Sequence, residues 1–369
     1  MCVPCLFGLE GLAADELRRL DMGNVRAENG RVFFNGERAD IARANINLRT
    51  GERVLICIGK TDALSFDMLF EGVKAMPWER YIPIDGEFPV KGSTIGSVLH
   101  STPDCQKIVK KAIVERLKLK YKTDWFKESG AKYQVQFSIM RDVAYLYIDT
   151  SGVGLHKRGY RTVGNAAPLR ETLAAAMVKI ARYRGREQVC DPFCGSGTIP
   201  IEAAMAAVNR APGLMRSFAA QKFVWSKSGD WNDARSEAKD REYSGNYDIW
   251  GGDIDPECIE IASANAKRAG LDGVIRFEVA DARSFSREDS GGFIISNPPY
   301  GERVMERADA EKLYRQFGAA ARKLPDWGLY LLSSHTEFER NFGRTADKKR
   351  KLYNGMIKCD LFMYLKRDK

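Results

Sequence analysis

Gln188-Val189-Cys190-Asp191-Pro192-Phe193-Cys194-Gly195-Ser196-Gly197-Thr198 is the stretch from which the fold can be worked out. Gln188–Cys190 reads as a short apolar strand and Ile199–Ala207 as a helix, with an acid and two glycines in the loop between them. In an open α/β sheet such a loop lies at the carboxyl end of a strand, where glycine lets a ligand approach the backbone. The loop is neither G-x-G-x-x-G nor a P-loop, and an acid before it suits a ligand with positive charge better than a pyrophosphate. Taken alone it also fits a plain glycine turn. The surrounding pattern repeats the alternation: helix Pro168–Arg182, strand Asp248–Gly252, helix Pro256–Ala269, strands Ile275–Val279 and Phe293–Ser296, helix Ala310–Leu324 and strand Leu329–Ser333. Strands separated by helices predict a parallel, doubly wound α/β sheet. Leu352–Cys359 and Leu361–Leu365 predict an antiparallel pair that closes it.

Two more acids follow strands in this block, Asp253 and Asp281. A carboxylate after the second strand suits a ribose diol; Ile254 beside it offers an apolar face to an adenine. Asp281 suits an adenine amino group, with the Ala282 N–H at the ring. Each acid alone also fits a helix N-cap; three at successive strand ends weaken that reading. Ser296-Asn297-Pro298-Pro299-Tyr300-Gly301 follows the apolar run Phe293–Ile295. Two prolines end a strand and hold a rigid loop, but strand termination does not require the Asn or the Tyr. An exocyclic amine on a nucleobase is a poor nucleophile because its lone pair is delocalised into the ring. The Asn297 side-chain oxygen and the Pro298 carbonyl are the acceptors that would draw its protons out. Tyr300 would offer a stacking plane to an extruded base.

The first sixty residues read β-α-β-β-α-β, the order of a small ferredoxin-like unit. A hydroxyl and proline at Ser101-Thr102-Pro103 open a helix running to about Tyr121. Lys107, Lys110, Lys111, Lys118 and Lys122 share one of its faces. Strands Tyr133–Met140 and Val143–Asp149 follow, joined tightly at Arg141-Asp142. Ser151–Asn165, rich in glycine and basic residues, predicts a linker. Residues 211–247, with Arg216, Phe218, Trp225 and Trp231, form a long insertion that suits either a lid or an extra packed layer.

A chain of 369 residues, 44% apolar and 29% charged, has material for two or three domains and is neither wholly disordered nor a disulfide miniprotein. It offers no apolar run of about 18 residues and no secretory leader pattern, so a cytoplasmic location is expected. Eight scattered cysteines predict buried thiols, and three histidines leave little material for a metal site. The net charge of +9 favours a polyanionic partner, though solubility alone would also account for it.

Asp191–Gly197, Gly252-Asp253-Ile254-Asp255-Pro256 and Asn297–Tyr300 together resemble the S-adenosylmethionine-dependent methyltransferases that act on exocyclic amines. Cys5-Leu6-Phe7-Gly8-Leu9-Glu10, Asp149–Gly152, Leu155–Arg161, Ala167–Leu173 and Asn297–Arg303 look like the bacterial THUMP-domain family of guanine-N2 RNA methyltransferases. That family includes the large-subunit rRNA methyltransferase and relatives that carry an N6-adenine-specific DNA methylase label. The resemblance covers essentially the whole chain. It implies a ferredoxin-like domain over 1–60, an RNA-binding THUMP domain within 45–155, and a Rossmann-like methyltransferase domain over 160–369. It also implies S-adenosylmethionine as cofactor without a metal, and RNA, rRNA foremost, as partner. Asp191, Gly195, Gly197 and Leu169 would line the methionine end, Asp253 the ribose and Asp281 the adenine. The lysines at 107, 110, 111 and 118 would then bind RNA backbone, unless they are simply a solvated face. Arg344, Lys348, Lys349, Arg350 and Lys351 raise the same pair of readings. An N6-adenine methyltransferase on DNA or RNA, a tRNA guanine-N2 enzyme, a protein glutamine methyltransferase lacking any reason for a THUMP domain, and a catalytically silent assembly factor are the alternatives.

Overall fold

The computed structural model describes residues 1–161, 169–288, 291–300 and 306–366. Gly164, Ala167, Pro168 and the Gly301–Arg303 end of the last motif lie outside them. The amino-terminal unit runs β1 (Cys2–Pro4), α1 (Glu10–Arg19), β2 (Gly23–Glu28), β3 (Arg31–Asn35), α2 (Arg38–Asn47) and β4 (Leu55–Asp62). Its spatial order β2-β3-β1-β4 is the ferredoxin-like one. The next unit adds α3 (Phe66–Lys74), β5 (Val90–Ile95), α4 (Thr102–Tyr121), β6 (Val135–Met140) and β7 (Val143–Asp149). β4 pairs antiparallel with β7 from Leu55↔Asp149 to Asp62↔Val143, so the two units share one seven-stranded sheet. β6 and β7 are joined at Arg141 and Asp142, both with positive φ (49° and 62°), the geometry of a tight hairpin. β5 escapes a pattern reading. Its Gly92 interrupts the alternation because a Cβ there would lie 2.4 Å from the Phe137 ring on β6.

The carboxyl-terminal unit runs α5 (Glu171–Ile180), β8 (Gln188–Asp191), α6 (Thr198–Ala207), α7 (Ser228–Asp240), β9 (Ile249–Asp253), α8 (Pro256–Arg268), β10 (Arg276–Val279), β11 (Gly292–Ser296), α9 (Arg307–Ala321), β12 (Gly328–Ser333), α10 (Phe338–Phe342), β13 (Lys348–Asn354) and β14 (Ile357–Tyr364). The second sheet has the order β10-β9-β8-β11-β12-β14-β13, parallel through β12 and antiparallel at its β14-β13 edge. The expected closing pair is present with a different turn. The chain reverses at Gly355-Met356, so four of the basic residues considered above, Lys348, Lys349, Arg350 and Lys351, lie in the edge strand Lys348–Asn354.

Two segments depart from expectation. Ser151–Arg161 is a packed clasp rather than a linker. Arg158 is 2% exposed; its Nε donates to Glu202 of α6 at 3.2 Å, and its two terminal nitrogens donate to the carbonyls of Leu155 and Arg49. The Ser151 hydroxyl donates to Asn45, and Glu52 meets His156, Arg170 and Thr172. The 211–247 insertion takes the second of its two readings. Phe218, Phe223 and Trp231 join the hydrophobic core of the first sheet. Phe223 stacks on Tyr133 with ring centroids 4.2 Å apart, and the Trp225 indole donates to the Tyr81 carbonyl. α7 lies along α2, tied by Arg38–Asp230 and Arg43–Glu237. No helix among the described residues is long and apolar enough to cross a membrane.

Candidate active site

β8 and β11 are neighbours, and the strand order runs outward from them, β9 and β10 on one side and β12 on the other. A crevice opens at the carboxyl ends of the strands where order reverses in this way. β8 ends in Asp191 and β11 in Ser296, and the Ser296 hydroxyl donates to Asp191 Oδ1 across the switch point. The Phe193 N–H donates to the same oxygen at 3.1 Å. Asp191 is 1% exposed. Burial pushes its carboxyl up to about 7, against the pull of Ser296 and the Phe193 amide, with Asp253 adding to the rise. A cationic ligand beside it would favour the ionised form.

The glycine loop is stitched to the next strand. The Gly195 N–H donates to Asp253 Oδ2 at 2.9 Å and the Cys194 N–H to the Gly252 carbonyl at 2.9 Å. Gly197 stands at the amino end of α6 with φ 80°, and a Cβ there would lie 2.9 Å from Ala262, so α8 can approach only because it is glycine. Asp253 spends its other oxygen on the Asp255 N–H at 3.1 Å. Ile254 beside it is 63% exposed, an apolar side chain left open at a strand end. Asp281 caps a short 3₁₀ turn, Ala282–Ser284, which begins with the buried Ala282. Both Asp281 oxygens are taken by Arg283, whose guanidinium holds the carboxyl below its ordinary range. An adenine amino group would therefore have to displace a half-exposed ion pair, which costs little. Leu169 is buried at the entry to α5, its carbonyl taken by Arg161, which also donates to Thr198 at the start of α6.

Asn297 follows β11 directly. Its Oδ1 is buried and has no hydrogen-bond partner among the described residues. Pro298 is buried, and no described donor occupies its carbonyl. The Pro299 carbonyl, by contrast, accepts from the Tyr314 hydroxyl at 2.6 Å. Burial pushes that hydroxyl up to about 12, so it remains a donor. Tyr300 corrects the expectation of an open stacking plane. Its ring is 9% exposed and packed in the core, and its hydroxyl accepts from Asn354 Nδ2 at 3.2 Å and from Cys359 Sγ at 3.5 Å. The ring's packing in the core and its hydroxyl's two partners on the β13–β14 hairpin leave it little exposed surface on which a base could stack.

Ser296 and Tyr314 were missed as site-building residues. Ser296 had only its place before Asn297 as a signal. Tyr314 sits on the apolar face of α9 with Ala310, Phe317 and Ala321, and a hydroxyl on such a face needs an acceptor. The lysine face also divides. Lys107 and Lys111 are exposed on α4. Lys110 lies 3.4 Å over the Phe88 ring and donates to Glu128 at 2.7 Å and to the Phe88 carbonyl, while Lys118 pairs with Glu115. Lys110 therefore acts within the fold, its stem covering Phe88, whereas Lys118, like Lys107 with Asp104, makes among the described residues only a pair with an acid one turn away on its own helix.

An RMKL-like methyltransferase domain model matches residues 158–362, more than half of the chain. The chain belongs to the RMKL-like methyltransferase family. The RlmL ferredoxin-like domain model matches 1–55 and the THUMP domain model 63–149. A Bacillus subtilis (strain 168) protein named "Putative RNA methyltransferase YpsC" is 44% identical over 364 residues, 97% of this chain and 93% of that one. The ribosomal RNA large subunit methyltransferase K/L of Psychromonas ingrahamii is 34% identical over 371 residues, 98% of this chain and 49% of its own length. The methyltransferase described here thus spans about half the length of that K/L relative. The crystal structure described as "SMU.472, a putative methyltransferase complexed with SAH" is 39% identical, superposes with a TM-score of 0.93, and is covered over 98% of its chain and 100% of this one. S-adenosylmethionine is the methyl donor of this family member. The residues at the strand ends fit it: the buried acid Asp191, the carboxylate of Asp253 at the end of β9, and an open Ile254.

Proposed function

We propose that this methyltransferase modifies RNA, transferring a methyl to the exocyclic N2 amine of a guanosine, with large-subunit rRNA as the substrate. The observation that carries the reading is the Asn297 carboxamide oxygen, buried beside the switch point without a donor among the described residues. A buried acceptor left unmet costs free energy, and a substrate amine is the donor that would satisfy it. S-adenosylmethionine supplies an electrophilic methyl when bound. Asn297 Oδ1 and the Pro298 carbonyl accept the two N–H groups of the amine and draw its lone pair out of conjugation. Tyr314 and the two prolines hold those acceptors rigid, so that attack is in line. The N–C bond forms as the S–C bond breaks, and one amine proton passes to water after transfer. Asp191 holds the cationic end of the donor, Asp253 the ribose, and Asp281 the adenine once Arg283 is displaced. The THUMP model match and the names of the relatives support RNA over DNA.

Tritiated methyl donor supplied with unmodified 23S rRNA, tRNA and duplex DNA, followed by nucleoside mass spectrometry, tests this. N2-methylguanosine in the 23S rRNA is expected. Label found only as N6-methyladenosine, or only in DNA, would overturn the guanine reading.

A further inference from the structure

The β13–β14 hairpin is not used by the chemistry above. β14 runs antiparallel to β12 from Leu329↔Tyr364 to Ser333↔Asp360. Its first residues and the turn before it therefore stand at the carboxyl end of the parallel strands, the same end as Asp191, Asp253 and Asn297. The hairpin is bonded to the catalytic loop, because Asn354 and Cys359 both donate to the Tyr300 hydroxyl. Asn354 pairs with Ile357 across a tight two-residue turn with Gly355 at φ 64°. Met356 on that tip is 99% exposed, and Ile357 beside it 47%. The ladder pairs Tyr353 with Lys358 and Lys351 with Asp360, so Lys351, Tyr353 and Lys358 share the hairpin face opposite Tyr300. Neither lysine makes an ion pair with a described residue, and Asp360 is the single acid in those pairs.

We infer that the hairpin tip is an RNA wedge: Met356 fills the gap left in the stack when the target base is drawn into the crevice, and Lys351 and Lys358 hold the flanking phosphates. This rests on the RNA reading above. Apolar side chains, methionine among them, unstack bases when they are inserted between them, and an enzyme acting on a base within structured nucleic acid must keep it out of the stack. A fully exposed methionine on a tight turn has no part in the fold. Its place beside the loop that receives the base, with two lysines alongside, suits a polyanion and not a second copy of this basic chain.

Methyl transfer to an unmodified 23S rRNA transcript is measured for wild type, Met356→Ser and Lys351→Glu/Lys358→Glu. The same transcript carrying 4-thiouridine is photocrosslinked to the wild-type protein. Met356→Ser is expected to lose at least tenfold in kcat with donor affinity and Tm unchanged. The lysine pair is expected to raise the KM for RNA about tenfold. Crosslinks are expected within 351–358. Wild-type kcat in Met356→Ser, or crosslinks exclusively elsewhere, overturns the wedge while leaving the proposed function standing. A wild-type enzyme that neither labels nor crosslinks the transcript overturns the proposed function itself, and the wedge with it.

Discussion

A buried amide oxygen without a donor is worth about 1–3 kcal/mol of lost stability, so a fold that keeps one gains from it elsewhere. Asn297→Ala is therefore expected to leave Tm unchanged or slightly raised while kcat falls on the order of a hundredfold or more, the usual scale for a group that meets charge developing in the transition state. Donor affinity measured by calorimetry should stay within about threefold. Asp191 makes a second prediction at this scale. Its carboxyl is raised to about 7, so the folded protein holds a proton there that the unfolded chain releases near pH 4. Stability of the donor-free protein should fall as pH rises from about 4 to about 7, and Asp191→Asn should flatten that slope in thermal melts at pH 5 and 8. Donor binding, if it brings positive charge to Asp191, should tighten as pH rises through 7, and the Asn variant should lose that dependence. Asn297, Asp191 and Asp253 were legible from short motifs because each lies at or just past the carboxyl end of a strand. Tyr300's inward turn was not, because Asn354 and Cys359 come more than fifty residues later.

Elements carry the substrate and the rigidity. On α4, Lys107→Glu/Lys111→Glu should weaken RNA binding without lowering Tm, and should reduce the slope of log K against log salt by roughly one unit for each phosphate no longer neutralised. Lys110→Glu should instead lower Tm, since Lys110 is bonded to Glu128 and covers Phe88. Periodicity placed these lysines on one face but could not separate the two kinds, because the difference lies in what packs against the helix. The 211–247 insertion makes the same point with larger energies. Phe223→Ala removes the ring stacked on Tyr133 and should cost about 3–5 kcal/mol in denaturant melts, a core-sized loss from a segment that composition allows to be a lid. An unfolding midpoint indistinguishable from wild type would return the insertion to that role.

For the whole molecule, the amino- and carboxyl-terminal units are tied by ion pairs, one of them fully buried. Arg158 and Glu202 have side chains 1% and 0% exposed, and Lys179 meets Glu16 at 2.7 Å between α5 and α1. Arg158→Ala leaves Glu202 charged and unpaired and is expected to cost about 3–5 kcal/mol, much of it recovered in Arg158→Met/Glu202→Leu. Equilibrium unfolding of the three proteins by fluorescence and circular dichroism decides it. The sequence by itself determined the two layered units, the β-α-β-β-α-β start, the doubly wound sheet and the acids at its strand ends, because those features depend on residues a few positions apart and on periods of two and 3.6. Tertiary structure alone decided that the two amino-terminal units share a sheet, that a basic, glycine-rich stretch is a buried clasp, that the insertion belongs to the first core, and that Tyr300 faces inward. Each of those outcomes depends on which distant groups remove a charge, a ring or a hydroxyl from water, and local spacing carries no record of that choice.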